Sequence, residues 1–229
     1  MNGNKINHIL SPKRFQRYLL RCENNSQNAL QYYLANTKIA ESTYWSLHVF
    51  EIALRNKIHF ALTRYFKTDE WYNQWLTSDN YSDFHRKIIT TKEMLKKRKE
   101  EVNPDKMVAE FTLGFWVQMF NAQYEYLLWK PLRTIFSNMP KTERKRKNIT
   151  KALNWARNFR NRSYHYEPIC WDFLAVQKNY KNVIKLVEWL DDEGANWCKQ
   201  NCDFPKTITT HTQKLSSLGV KKITVITNA

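Results

Sequence analysis

The amino-acid sequence predicts an all-α protein, and three observations carry that prediction. Apolar residues recur at steps of three and four along most of the 229-residue chain. With 4 Gly and 6 Pro, the chain lacks the tight-turn residues that a β-sandwich or barrel uses in quantity. A hydrophobic content of 42%, with 9 Trp, 12 Tyr and 12 Phe, is enough to bury a core, which argues against disorder over most of the chain. The scarcity of glycine also excludes the Gly-rich strand–helix turns of Rossmann and P-loop nucleotide enzymes. The length suits one domain, or one domain with a tail.

Ser11-Pro12 reads as an N-cap followed by proline at the first helical position. Phe15, Tyr18, Leu19 and Cys22 then continue a helix to about Asn24. A second helix covers roughly Gln27 to Ala35. A long third runs from about Ser42 to Phe66, with the stripe Tyr44, Leu47, Phe50, Leu54, Ile58, Ala61 and Tyr65, read as core. Asp69 to Leu76 forms a short helix bearing Trp71 and Trp75. The charged stretch Ser82 to Glu101 is helical and is broken at Asn103-Pro104. Pro104 opens a helix through Val108 and Phe111. Gly114 interrupts the apolar run, which resumes from Phe115 to Asn121. Tyr124 to Phe136 is aromatic and helical, with Pro131 as a boundary or kink. After a break at Pro140, Thr142 to about Asn161 forms a basic helix. Trp171 to Leu190 forms the last long helix, with Gly194 placed to end it. Thr207 to Thr210 and Ile223 to Thr227 are short and β-branched, which suggests a small hairpin, edge strands or a loose tail. Residues 1–200 are therefore expected to form one helical domain, and 201–229 a C-terminal extension.

Lys and Arg number 37 against 21 Asp and Glu, a net charge of +16. A field of that sign attracts polyanions, and nucleic acid is the first candidate because each neutralised phosphate releases counterions. The alternative is a basic protein with no polyanion partner. No stretch has the separated apolar and Lys-rich faces of an interfacial anchor, and no run is apolar for eighteen residues, so no membrane association is expected. Met1 to Leu10 lacks a signal-peptide core. Cys22, Cys170, Cys198 and Cys202 read as reduced thiols in a cytoplasmic protein. Cys198 and Cys202 lack the second pair that a structural zinc site needs, so no metal and no cofactor is assigned. The densest charge run, Lys141, Arg144, Lys145, Arg146 and Lys147, is either one solvated helix face or a contact to RNA phosphates.

The segment that carries chemistry is Arg157-Asn-Phe-Arg-Asn-Arg-Ser-Tyr-His-Tyr-Glu-Pro168. A histidine near neutrality takes or gives a proton, and an arginine holds a phosphate bidentately and stabilises developing charge. Asn161 is placed to orient either one. Arg160 and His165 are five residues apart, which on a continuous helix separates them by about 140°. They converge only if the helix ends or distorts between them, and Pro168 makes an ending nearby plausible. The competing reading is a basic helix terminus carrying one surface histidine. Upstream, Glu51 and Arg55 stand four apart with the acid first, the favourable order for a helical pair. Such a pair, with Asn56 beside it, either positions the helix alone or supports Arg160 and His165 from behind. His59 reads as structural.

Arg160 to His165 resembles the R-x4-6-H motif of HEPN-domain ribonucleases, including the Asn after the Arg. Glu167-Pro168-Ile169 is similar to the H-x-E-P-I ending of the Abi (abortive infection) family. Glu51 to His59, read E-I-A-L-R-N-K-I-H, resembles the E-x-x-L-R-N-x-I/L-H helix of the same family. Ala109 to Trp116 and the region Ser11 to Tyr44, with Tyr32-Tyr33 and Ser42, agree in order and spacing, so the resemblance covers about Ser11 to Leu190. Two departures stand out. Many Abi sequences carry a second histidine where this chain has Tyr166, and Glu167 occupies the place of the tyrosine that is modified in nucleotidyltransferase-paired toxins.

The resemblance implies a HEPN-like helical bundle with additional helices, a homodimer, and metal-independent endoribonuclease activity in phage defence or as a toxin. It implies catalytic Arg160, Asn161 and His165, with Glu51, Arg55 and Asn56 behind them. Arg157, Arg162, Lys145 and Arg146 are the expected RNA contacts. The alternative is a non-cleaving RNA-binding protein in complex with a small noncoding RNA. A third reading is a structural dimer that senses a phage protein, and an antitoxin is a further candidate partner.

Overall fold

A computed structural model describes residues 9–219. Helix makes up 77% of it, and no strand occurs among the described residues, so the protein is all-α. The α-helices follow in the order α1 (Pro12–Arg21), α2 (Ser26–Ser42), α3 (Tyr44–Phe66), α4 (Trp71–Trp75), α5 (Ser82–Lys97), α6 (Pro104–Glu110), α7 (Leu113–Gln118), α8 (Glu125–Leu132), α9 (Arg146–Tyr164), α10 (Phe173–Leu190), α11 (Asp192–Gln200) and α12 (Phe204–Ser217). Short 3₁₀ turns lie at Asp79–Tyr81, Ala122–Tyr124 and Arg133–Ile135. The chain forms two compact units. One comprises the described parts of Met1–Leu47, Phe159–Val183 and Cys198–Ala229, and the other His48–Asn158 and Ile184–Trp197.

In the first unit α2 packs on both α1 and α12. The Asn25 side chain accepts from Asn28 N at 2.9 Å and starts α2 one residue before its expected beginning. Ala29, Tyr32, Ala35 and Ile39 repeat at helical spacing and are fully buried, as are Phe15 and Tyr18 of α1. Tyr18 meets Tyr32 edge-on at 5.9 Å, and Tyr180 stacks on Phe204 at 4.3 Å. Pro12 does occupy the first helical position, but Ser11 does not cap α1 with its side chain. Its φ is 69°, and its carbonyl accepts from Phe15 N at 3.1 Å.

Thr207 to Thr210 is helix, not strand. Pro205 stands in the first turn of α12, and Phe204, Ile208, Thr212 and Leu215 are buried at steps of four, four and three. The threonine hydroxyls return to the backbone four residues back, Thr209 to Pro205 O and Thr210 to Lys206 O, both at 2.9 Å. Burial of one face outweighs the weak β preference of Thr and Ile. Ile223 to Thr227 lies outside the described residues.

The second unit has an aromatic core. Leu54, Ile58 and Leu62 of α3 are fully buried, as are Trp71, Trp75, Phe84 and Trp116. Trp71 and Trp75 pack at 4.8 Å, Phe111 stacks on Phe115 at 3.9 Å, and Tyr81 stacks on Trp75 at 4.6 Å. Each such ring contributes about 1.5–3 kcal/mol of burial. The stripe of α3 is core only in its middle, for Tyr44 is 54% and Tyr65 45% exposed. Gly194 does not end α10. Asp191 follows that helix and accepts from Gly194 N at 2.9 Å, which makes it the cap of α11. That bond and the Lys57 ammonium 3.0 Å away hold the Asp191 carboxyl below the usual carboxylate range.

His59 is structural, as its sequence context suggested. Its Nδ1 accepts from Trp71 Nε1 at 3.1 Å. Burial lowers its pKa from 6.5, against an opposing pull from Asp105 and Asp69. The unfolded chain therefore binds the proton first, and stability is complete above about pH 6.5 and falls as the pH drops below it. His59→Asn keeps an acceptor near Trp71 but cannot titrate. Denaturation at pH 5 and pH 7 should show a smaller stability difference in that variant than in the parent, even though His211, whose pKa burial also lowers, still contributes.

Scarce glycine has a backbone consequence. Lys67 and Lys99 take left-handed conformations, with φ of 58° and 59°, directly after α3 and just beyond α5. A side chain there costs about 1 kcal/mol. Lys67→Gly and Lys99→Gly should each raise the unfolding midpoint in urea, by a stability gain of about 0.5–1 kcal/mol.

Candidate functional site

The motif lies where α9 stops. His165 N still donates to Asn161 O at 2.9 Å, but Tyr166 turns left-handed with φ 58°, and Glu167 N donates to Arg162 O at 3.1 Å. This six-to-one bond is the closing bond of a Schellman-type helix end, formed with tyrosine where glycine is usual. Helix α9 thus runs unbroken from Arg160 to Tyr164, and its distortion begins only after His165, at Tyr166.

The turn that follows is tied down by side chains, because Pro168, Ile169 and Cys170 are buried and their backbone groups cannot reach water. Asn36 of α2, itself 4% exposed, accepts from Ile169 N at 2.8 Å and Cys170 N at 3.0 Å. Its Nδ2 donates to Glu167 O at 3.3 Å. Tyr32, one turn earlier, donates to Cys170 O at 2.7 Å, and burial pushes its hydroxyl pKa up to about 12. Arg162 donates from Nε to Glu167 Oε2 at 3.2 Å and from Nη2 to Pro168 O at 3.1 Å. Three side chains therefore satisfy five backbone groups of the turn that follows His165 and Tyr166. Arg162, expected to attract RNA, holds this turn while its side chain stays half exposed.

Within the same unit the Arg160 guanidinium lies 4.4 Å over the Tyr164 ring, and Tyr164 stacks on Tyr44 at 5.5 Å and 17°. The cation–π contact orients a half-buried Arg160. Asn161 and His165 are exposed, and no described residue forms a side-chain hydrogen bond with His165. A cavity of about 420 Å³ opens beside the motif, with Tyr33, Glu41, Tyr44, Ser163, Tyr164 and Tyr166 among its lining residues.

The other expected residues fall in the second unit. Arg55 Nε donates to the adjacent Asn56 Oδ1 at 3.4 Å, and Glu51 is half-buried on the same helix. Arg157 is half-buried. Arg146 is committed internally. Its Nε meets Glu125 Oε2 at 2.7 Å, and Nη1 donates to Phe120 O at 3.2 Å and Thr150 Oγ1 at 3.3 Å. Lys145 remains exposed. Cys198 is buried, and burial pushes its thiol up to about 12, while Cys202 donates to Ser42 O at 3.8 Å. Burial thus works against the ionised thiol that a nucleophilic Cys198 would need.

Sequence reasoning did not single out Asn36, Ser163 or the Tyr44–Tyr164 stack. One signal was present for Asn36. It stands four residues after Tyr32 on the face of α2 that carries Ala29, Ala35 and Ile39, where an amide must find partners. No described helix is long and apolar enough to cross a membrane. Compared with protein-family models, curated proteins and solved structures, the chain matches none.

Proposed function

We propose that this protein is a metal-independent endoribonuclease of the HEPN type, a member of the Abi family acting in phage defence or as a toxin. The observation that carries the reading is the end of α9 at Tyr164, which leaves His165 exposed at the helix terminus, five residues after Arg160, beside a turn pinned by Asn36, Tyr32 and Arg162. In this reading Arg160 holds the scissile phosphate and Asn161 orients it. His165 takes the 2′-hydroxyl proton or returns one to the leaving oxygen. The 2′-oxygen bonds to phosphorus as the bond to the 5′-oxygen breaks, leaving a 2′,3′-cyclic phosphate and a 5′-hydroxyl. The nucleophile belongs to the RNA, so the step needs no metal. A homodimer would set two Arg–His pairs in one cleft, which strengthens a sparse constellation.

The test is cleavage of total RNA with EDTA present, followed by end analysis. Cyclic phosphate and 5′-hydroxyl ends are expected. Ends carrying 5′-phosphate, or strict dependence on magnesium, would overturn the mechanism.

One observation favours a second reading, a non-cleaving ribonucleoprotein with a small RNA. Catalytic bases are held by an orienting group, and no described residue supplies one to His165. With a net charge of +16, such a protein would bind RNA tightly and salt-sensitively, and His165→Ala would bind as well as the parent.

A further inference from the structure

The cavity beside the motif is chemically unlike the rest of this basic protein. Four of its nine lining residues are tyrosines, Tyr33, Tyr44, Tyr164 and Tyr166, and Glu41 adds a carboxylate. One Glu41 oxygen accepts from Lys38 at 2.8 Å, an exposed pair that solvent screens. Ser163 also lines the cavity. It is 5% exposed, and its Oγ has no hydrogen-bond partner among the described residues. A buried hydroxyl without a partner is costly in an unliganded protein, and a ligand bearing a donor or acceptor would complete it.

Tyr166 stands at the rim, 67% exposed, on a left-handed backbone that a tyrosine adopts only under constraint. Arg14 lies 6.0 Å from its ring. Strain of this kind persists where neighbouring structure holds it, and here the pinned turn begins one residue later.

We propose that this cavity seats one unpaired nucleobase of the RNA, next to the phosphate held at Arg160. The inference rests on the reading that the motif engages RNA. Aromatic walls suit the face of a base, and base–aromatic stacking is the common currency of single-strand binding. The Glu41 carboxylate argues against a phosphate inside the cavity, since like charges repel, and it accepts hydrogen bonds from ring N–H or exocyclic amino groups. Ser163, whose buried Oγ lacks a partner among the described residues, offers a second polar group beside the base. Adenine and cytosine offer an amino donor, uracil a ring N–H, and guanine both side by side, so guanine is the base that one carboxylate favours. The volume of about 420 Å³ falls in the range of small-ligand sites and exceeds the size of one base, which leaves room for its ribose.

The experiment measures binding, so that it does not depend on cleavage. Dye-labelled pentaribonucleotides carry a 2′-O-methyl group at the central nucleotide, and the residue on either side of the blocked linkage is guanine, adenine, cytosine, uracil or abasic. Anisotropy with the parent protein should show the abasic oligonucleotide binding roughly 5- to 150-fold more weakly than the best base. Tyr166→Ala, at an exposed position where folding is not at stake, should lose a similar factor on the base-containing oligonucleotides and be indifferent to the abasic one. Glu41→Gln and Ser163→Ala should narrow the spread among the four bases. Equal binding of abasic and intact oligonucleotides by the parent overturns the inference, as does full discrimination in Tyr166→Ala. Discrimination without cleavage supports the cavity and removes the nuclease reading. Cleavage without discrimination does the reverse. Absence of any RNA binding above nonspecific background at physiological salt overturns both.

Discussion

His165→Ala should lower the single-turnover rate of RNA cleavage by about 10²- to 10⁴-fold while leaving RNA affinity unchanged. That loss corresponds to about 3–5 kcal/mol of transition-state stabilisation. His165 is exposed at the end of α9, so the variant should melt with the parent, which separates chemistry from folding. Arg160→Ala should lose cleavage to a similar degree, but its guanidinium also covers the Tyr164 ring, so a small stability loss is expected with it. Arg160→Lys is the sharper probe. Lysine keeps the charge and loses both the planar stacking on Tyr164 and the two-pronged grip on a phosphate. Its cleavage rate should fall well below that of the parent while salt-sensitive binding persists. Equal cleavage by the parent and His165→Ala would remove His165 from the mechanism, whereas binding without cleavage by both would favour the ribonucleoprotein reading.

Asn36→Ala should destabilise the protein by about 2–5 kcal/mol, measured by urea denaturation with the slope of the transition unchanged. The variant strands two buried N–H groups, those of Ile169 and Cys170, and removes the donor to Glu167 O. A stranded buried donor costs about 1–3 kcal/mol. The lost bonds also hold the turn that follows His165 and Tyr166, so cleavage should fall beyond what the lower stability explains. Tyr32→Phe removes one bond, to Cys170 O, and should cost about 1 kcal/mol. If Asn36→Ala were as stable as the parent, the turn would be held by packing of Pro168 and Ile169 rather than by the amide.

Helix boundaries show where sequence reasoning was strong. Steps of three and four placed α3 and α5 within a few residues, because a helix that buries one face must repeat its apolar residues at that interval. The same rule was available for α12, where Phe204, Ile208 and Leu215 repeat at helical spacing. Composition misled there, since the threonines between them suggested strand while their hydroxyls bond back along a helix. Gly194 misled for a related reason. A glycine after a helix reads as its stop, but the side chain of Asp191 recruits it into the first turn of the next helix.

The sequence by itself determined the all-α class, the scarcity of glycine that leaves Lys67, Lys99 and Tyr166 in left-handed positions, and the Arg160–His165 pair as the chemical candidate. Those properties depend on local spacing and residue type, which a linear chain displays in full. Only the tertiary structure decided what holds the motif and what lies beside it. Asn36 and Cys170 are 134 residues apart in sequence, and Tyr44 reaches Tyr164 from another helix. It also decided that Arg146 and Arg162 serve the fold, because partners such as Phe120 O and Pro168 O are backbone groups whose position no residue type announces. Hydrogen bonding is short-ranged in space and indifferent to distance along the chain. A site assembled from it becomes visible only when the helices are packed.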